Sequence, residues 1–110
     1  MSEHKPGQPQ QPQSQLDEDA IAFAQGIFEL ARNGGTNMLR PMLEAGVPVN
    51  MRTSSGESLL MLAASNGHAD TVQLLLEKGA NPELQDADGN TALSLARDTG
   101  AQDTIKHLER

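Results

Sequence analysis

The sequence predicts an all-α protein: three stacked helix–turn–helix units with a 33-residue period. The first observation behind this is internal. Sliding the chain by 33 residues places Gly56 on Gly89, Ser58 on Thr91, Leu60 on Leu93, Leu62 on Leu95 and Ala63 on Ala96. Gly67 then meets Gly100, Asp70 meets Asp103, Thr71 meets Thr104 and Val72 meets Ile105. In the other direction Gly67 meets Gly34, Leu60 meets Ile27, Ala64 meets Ala31, Val72 meets Leu39, Leu76 meets Leu43 and Gly79 meets Gly46. One spacing serves three copies without a gap, the mark of a repeat architecture. The second observation is that Leu60, Ala63 and Ala64, and then Val72, Leu75 and Leu76, are spaced for one face of a helix. The third is composition. With two Phe and no Trp or Tyr, the core must be Leu, Ala, Met, Ile and Val, which favours packed helices over an aromatic-rich sheet.

Residues 1–15, "MSEHKPGQPQQPQSQ", hold five Gln, three Pro and one Gly, and are expected to be a disordered tail because they bury too little apolar surface to offset ordering entropy. Residues 16–110 form the folded domain. Its first unit, 18–51, keeps the helical pattern, with Asp17 and Asp19 as caps at the first helix start and "NGG" at 33–35 as its stop. Pro41 falls well inside the second helix of that unit, where proline costs about 3 kcal/mol, so a kink or a late helix start is expected there. The central unit, 52–84, opens on Gly56 with Ser58 as helix cap, turns at Gly67, and closes on "KGANP", where Gly79 stops the second helix and Pro82 bars its continuation. The last unit, 85–110, repeats this with Gly89, Thr91 and Gly100. Met38, Met42 and Met61 are expected to fill the core, and Met51 to lie exposed in a loop.

"GESLLMLAASNGHADTVQLLLEKGANPE" and "DADGNTALSLA" resemble ankyrin repeats, whose signature reads G-x-T-P-L-H-x-A-A-x-x-G-H and then V-x-x-L-L-x-x-G-A. Gly56, Ser58, Leu60, Ala63, Ala64, Gly67, His68, Val72, Leu75, Leu76, Gly79 and Ala80 match in the central copy. Asp86, Gly89, Thr91, Leu93, Ala96 and Gly100 match in the last, where Ala101 replaces the usual His. The family's Pro is Leu59 in one copy and Ala92 in the other, and its His is Met61 and Ser94, so the loop hydrogen bonds of that His are absent. The first copy lacks the Gly-x-Thr opening. The resemblance covers roughly residues 20–110 and implies an ankyrin repeat solenoid, with atypical capping units at either end.

Little in the chain suggests chemistry. "DADGN", 86–90, looks like the start of a calcium loop, but counting from Asp86 the sixth position is Thr91 instead of Gly and the twelfth Arg97 instead of Glu. A turn between repeats explains it better. His4, His68 and His107 have no metal-ligand spacing; His68 suits a structural role at a helix start and His107 a surface position. There is no G-x-S-x-G, no G-x-G-x-x-G and no Walker loop, and the serines lie at turns and caps. No catalytic residue, metal or cofactor is expected. Cysteine is absent, no signal-peptide pattern opens the chain and no apolar run could span a bilayer, so a reduced, cytoplasmic setting is expected. The net charge of −7 argues against nucleic acid and anionic membrane.

What the resemblance implies is protein binding on the concave side. The positions that carry over are Arg32 and Asn33 in the first copy, Arg52, Ser54, Ser55 and Glu57 at the first loop tip, and Gln85, Ala87, Asp88 and Asn90 at the second. Ser65, Asn66, Asp98 and Thr99 follow at first-helix ends. The expected function is a non-catalytic adaptor or inhibitor, monomeric, holding one folded protein. A self-associating structural protein is the alternative, with a calcium-responsive module behind it.

Overall fold

The computed structural model describes the backbone of residues 10–109 and the side chains of residues 18–109. Six helices form among them: α1 Gln10–Asn33, α2 Thr36–Glu44, α3 Leu59–Ser65, α4 Ala69–Glu77, α5 Ala92–Thr99 and α6 Gln102–Leu108. They stack as three pairs in two layers, with α1, α3 and α5 side by side in one and α2, α4 and α6 in the other. No strand forms among the described residues; the one extended pairing is an isolated bridge between Arg52 and Ser58. The all-α repeat stack expected from the 33-residue period is the observed architecture.

Local signals explain the boundaries. Ser58 caps α3 by accepting from the Met61 N–H at 3.1 Å. Thr91 and Ser94 cap α5 reciprocally: Thr91 Oγ1 accepts from the Ser94 N–H at 3.2 Å and Ser94 Oγ from the Thr91 N–H at 2.9 Å. The turn inside each pair takes left-handed backbone at Gly34, Gly67 and Gly100, with φ of 78°, 73° and 73°. At Gly34 the requirement is double, because an added Cβ would sit 2.7 Å from His68 Nδ1.

The core is aliphatic. From Leu59 to Ala64 every residue of α3 is buried, as suits a helix flanked by α1 and α5 and backed by α4. Ile27 and Ala31 of α1, Leu39 of α2, Val72, Leu74 and Leu75 of α4 and Ala92 and Ala96 of α5 complete it. Each fully buried Leu, Ile or Val side chain is worth about 1.5–3 kcal/mol, against roughly 1 kcal/mol net for a hydrogen bond. Stacking area therefore supplies the stability, and the polar contacts set the register.

Several expectations are corrected. Residues 10–15, assigned to the tail, lie in α1; Gln propagates helix well, and Pro12 stands in the first turn, where no N–H has an intrahelical partner. Residues 1–9 lie outside the described residues. Asp17 and Asp19 are consequently well inside α1 and cap nothing at its start. Pro41 neither delays nor interrupts α2, which runs through it; Pro41 is exposed, so the Asn37 carbonyl left without its i+4 donor lies on the solvent side. Met38 is 63% exposed, while Met51 packs against the core. Leu74, more than Leu76, fills the inner face of α4, and His107 is half-buried.

Two part-buried polar contacts tie the first pair to the second. His68 Nε2 lies 3.0 Å from the Arg32 carbonyl, and the Thr36 and Thr71 hydroxyls are 2.7 Å apart. The same register in the next interface offers neither. Position 101 is Ala, and Thr104, equivalent to Thr71, faces the position of Ala69, equivalent to Thr36. The buried Thr104 hydroxyl accordingly has no hydrogen-bond partner.

His68→Ala should lower stability by about 1 kcal/mol, and Ala101→His, by reaching the Ser65 carbonyl across Gly67, should raise it by a similar amount, both read from urea midpoints. Ala69→Ser should stabilise by about 1 kcal/mol only while Thr104 is present, so a double-mutant cycle with Thr104→Val should show a coupling of that size; additivity would refute the pairing.

Candidate functional site

The two loops that precede α3 and α5 are built from the same hydrogen bonds, 33 residues apart. In the first, Thr53 Oγ1 accepts from the Ser55 and Glu57 N–H groups, both at 3.2 Å, and the Thr53 N–H donates to the Glu57 carbonyl at 2.9 Å. In the second, Asp86 Oδ1 accepts from the Asp88 N–H at 2.9 Å and the Asn90 N–H at 2.8 Å, and the Asp86 N–H donates to the Asn90 carbonyl at 3.0 Å. A hydroxyl in one and a carboxylate in the other do the same work: each lets a side-chain oxygen stand in for backbone and hold a two-residue tip.

The tips are also joined to each other. The Ala87 N–H donates to the Ser55 carbonyl at 3.0 Å, and Arg52 Nη1 donates to the Gln85 carbonyl at 3.1 Å. Asn50 Oδ1 accepts from the Asn81 N–H at 2.8 Å behind them. Gly56 lies so close to the second tip that an added Cβ would meet Ala87 N at 3.1 Å and Asp86 Cα at 3.2 Å, with φ at 83° besides. The result is one ridge made of two tips, with its backbone polar groups largely satisfied internally.

The candidate binding residues divide by what their side chains do. Arg52 braces the ridge. Asn90 Nδ2 donates to Asp86 Oδ2 at 3.4 Å. Asn66 Nδ2 and Ser65 Oγ donate to the Leu62 carbonyl at 2.8 and 3.3 Å, and Thr99 Oγ1 donates to the Ala96 carbonyl at 2.9 Å, so all three finish helices. Arg32 pairs with Glu29 at 3.0 Å, and Asn33 donates to the same carboxylate at 3.3 Å. Ser54, Ser55, Gln85, Ala87, Asp88 and Asp98 are exposed and Glu57 half-exposed, with no side-chain hydrogen bond among the described residues. Residue type alone did not separate these two sets.

A groove runs beside the ridge. It has a volume of about 740 Å³ and lies between the α1 residues Ile21, Ala24, Gln25 and Phe28 and the first tip at Arg52–Ser54. Sequence reasoning stopped at Arg32 and missed this stretch of α1, although the helical spacing of Ile21, Gln25, Phe28 and Arg32 is readable in retrospect.

Asp86 is turned into its own loop. Its oxygens face N–H donors of its own turn, and these hold its carboxyl below the usual 3.8, the Asn90 N–H most, opposed by partial desolvation. Among the described residues no three His, Asp or Glu side chains group so as to hold a metal ion, and no helix is long and apolar enough to cross a membrane. Because the folded-state pKa is the lower one, the charge stabilises the tip above pH 3.8 and that stability is lost as pH falls through the folded value. Asp86→Asn keeps an acceptor and removes the charge. Its urea midpoint should sit below that of the parent at pH 7, with the gap closing as the pH is taken below 3.8; a constant gap would assign the difference to shape.

The comparisons with known proteins agree with this geometry. A family profile described as ankyrin repeats, in three copies, matches residues 27–109. A Pseudomonas aeruginosa protein named for ankyrin repeats is 44% identical over 53 residues, which cover 48% of this chain and 31% of that relative's length. Ankyrin repeats mediate protein–protein interaction. With three helix pairs at the expected period and a profile match across most of its length, the chain belongs to the ankyrin repeat family.

Proposed function

We propose that this protein is a non-catalytic adaptor or inhibitor that holds one folded protein along the ridge of loop tips and the adjoining concave groove. The observation that carries this reading is the coupling of the tips. Two loops that satisfy their own backbone groups and lock to each other present Ser54, Ser55, Ala87 and Asp88 at fixed spacing. A surface already ordered before binding loses little entropy on association, which favours recognition of a rigid, folded partner. A ridge and groove of this length suit at most a standard interface, about 800 Å² on this side. Acidic Glu57, Asp88 and Asp98 favour a partner with a basic or neutral patch. The calcium-responsive alternative is the weaker reading, because Asp86 Oδ1 accepts two N–H groups of its own turn and the spacing from Asp86 lacks the Gly and Glu of a calcium loop.

Capture from native lysate tests the reading. Ser54→Arg, Glu57→Arg and Asp88→Arg change the rim without breaking a side-chain hydrogen bond, so the combined variant should keep the parental melting curve while losing the captured protein. Arg40→Glu on α2, in the other layer, is the control and should retain it. Retention by the rim variant, or loss with Arg40→Glu alone, would move the binding surface away from the ridge.

A further inference from the structure

The first helix is much longer than its place in the stack requires. α1 has 24 residues, whereas the other five helices have seven to nine. Ile21 and Phe23, both on its forward half, are 56% and 57% exposed, two of the three exposed large apolar side chains among the described residues, with Met38 of α2 the third. Along the groove, α1 presents Ile21, Gln25, Phe28, Glu29 and Arg32, and Glu18, Ile21, Gln25, Phe28 and Arg32 follow at successive steps of three and four residues, so Glu18 continues this stripe one turn beyond the groove. That stripe is acidic at one end, at exposed Glu18 with exposed Asp19 beside it, carries Ile21 and Phe28 on either side of Gln25, and is net basic at the other, where Arg32 and Arg52 of the first tip outnumber Glu29. Arg52 has no carboxylate within 4.0 Å among the described residues, and Arg32 has only the exposed Glu29.

Such a stripe is complementary to itself when reversed. Glu18 and Arg32 are 14 residues apart, about 21 Å along a helix. A twofold axis passing near Gln25 would set the acidic end of each copy against the basic end of the other, with Ile21 against the second copy's Phe28. Every contact then occurs twice. We propose that the groove beside the first tip takes α1 of a second copy of this chain, antiparallel, closing a symmetric dimer. The net charge of −7 averages over the whole molecule and does not describe this one helix. The inference stands on α1 and not on the adaptor reading; a dimer would fill the groove and leave the ridge of loop tips to the foreign partner. It is tested in the purified protein alone, so failure of one leaves the other intact.

Sedimentation equilibrium on the full chain, from about 10 µM to 1 mM, should show a monomer–dimer equilibrium in the range typical of weak interfaces. Two charge-reversed chains then test the pairing. Glu18→Arg with Asp19→Arg makes both ends basic, and Arg32→Glu with Arg52→Glu makes both acidic. Each alone should dimerise at least about tenfold more weakly than the parent, and an equimolar mixture should recover a heterodimer. Because Arg52 also braces the tips, Ile21→Asp provides a variant that touches no hydrogen bond; it should abolish the dimer with the helical content unchanged, while Met38→Asp should leave it intact. A parent that remains monomeric throughout would overturn the proposal and leave the groove to a foreign partner. So would a mixture that fails to associate, or a dimer sensitive to Met38→Asp but not to Ile21→Asp.

Discussion

A helix of seven to nine residues, paired with another by a tight turn, has no stability of its own in water, and everything here depends on what its neighbours cover. α3 shows the constraint at its limit. All six residues from Leu59 to Ala64 are buried, so this helix has no solvent face and would be insoluble outside the stack. The outer pairs exist to cover it, and it supplies the apolar surface that keeps them folded. A change at the Leu60 layer therefore reaches α1 and α5 together, and with them the loops those helices hold.

Dispersion and burial do not by themselves choose a register between two aliphatic faces; directional contacts do. The interface between the first and second pairs is pinned among the helices, through His68, the Thr36–Thr71 hydroxyls and the Lys78–Glu44 ion pair at 3.1 Å. The interface between the second and third is pinned at the loops, through Arg52 and the Ala87–Ser55 backbone bond. The difference follows from composition. α1 occupies the place where the first copy would have a tip, and Ala69 and Ala101 replace the side chains that would tie the third pair among the helices.

The period, the helix pairs, the caps at Ser58 and Thr91 and the glycine turns were legible because each rests on local chemistry repeated at a fixed interval. The forward extent of α1 was not, because a Gln- and Pro-rich stretch reads the same whether its prolines stand in a first turn or break a helix. Pro41 was misjudged for a related reason: a missing donor matters little on an exposed face. Among the site residues, the loop positions lie in the two tips, yet the oxygens that build those tips, Thr53 and Asp86, look unrelated in sequence and are equivalent only as acceptors at the same register. Met38 and Met51 exchanged their expected places because residue type and loop position alone do not say which side chains the neighbouring pair covers.

Because the two interfaces are braced on opposite edges, they also yield on opposite edges. The first can open toward the tips about the hinge formed by His68 and the threonines; the second can open among the outer helices about the hinge at Arg52 and Ser55. Bending strain therefore tilts the end repeats in opposing senses about a stiff middle. This is a mechanical asymmetry that a uniform array of identical repeats would lack.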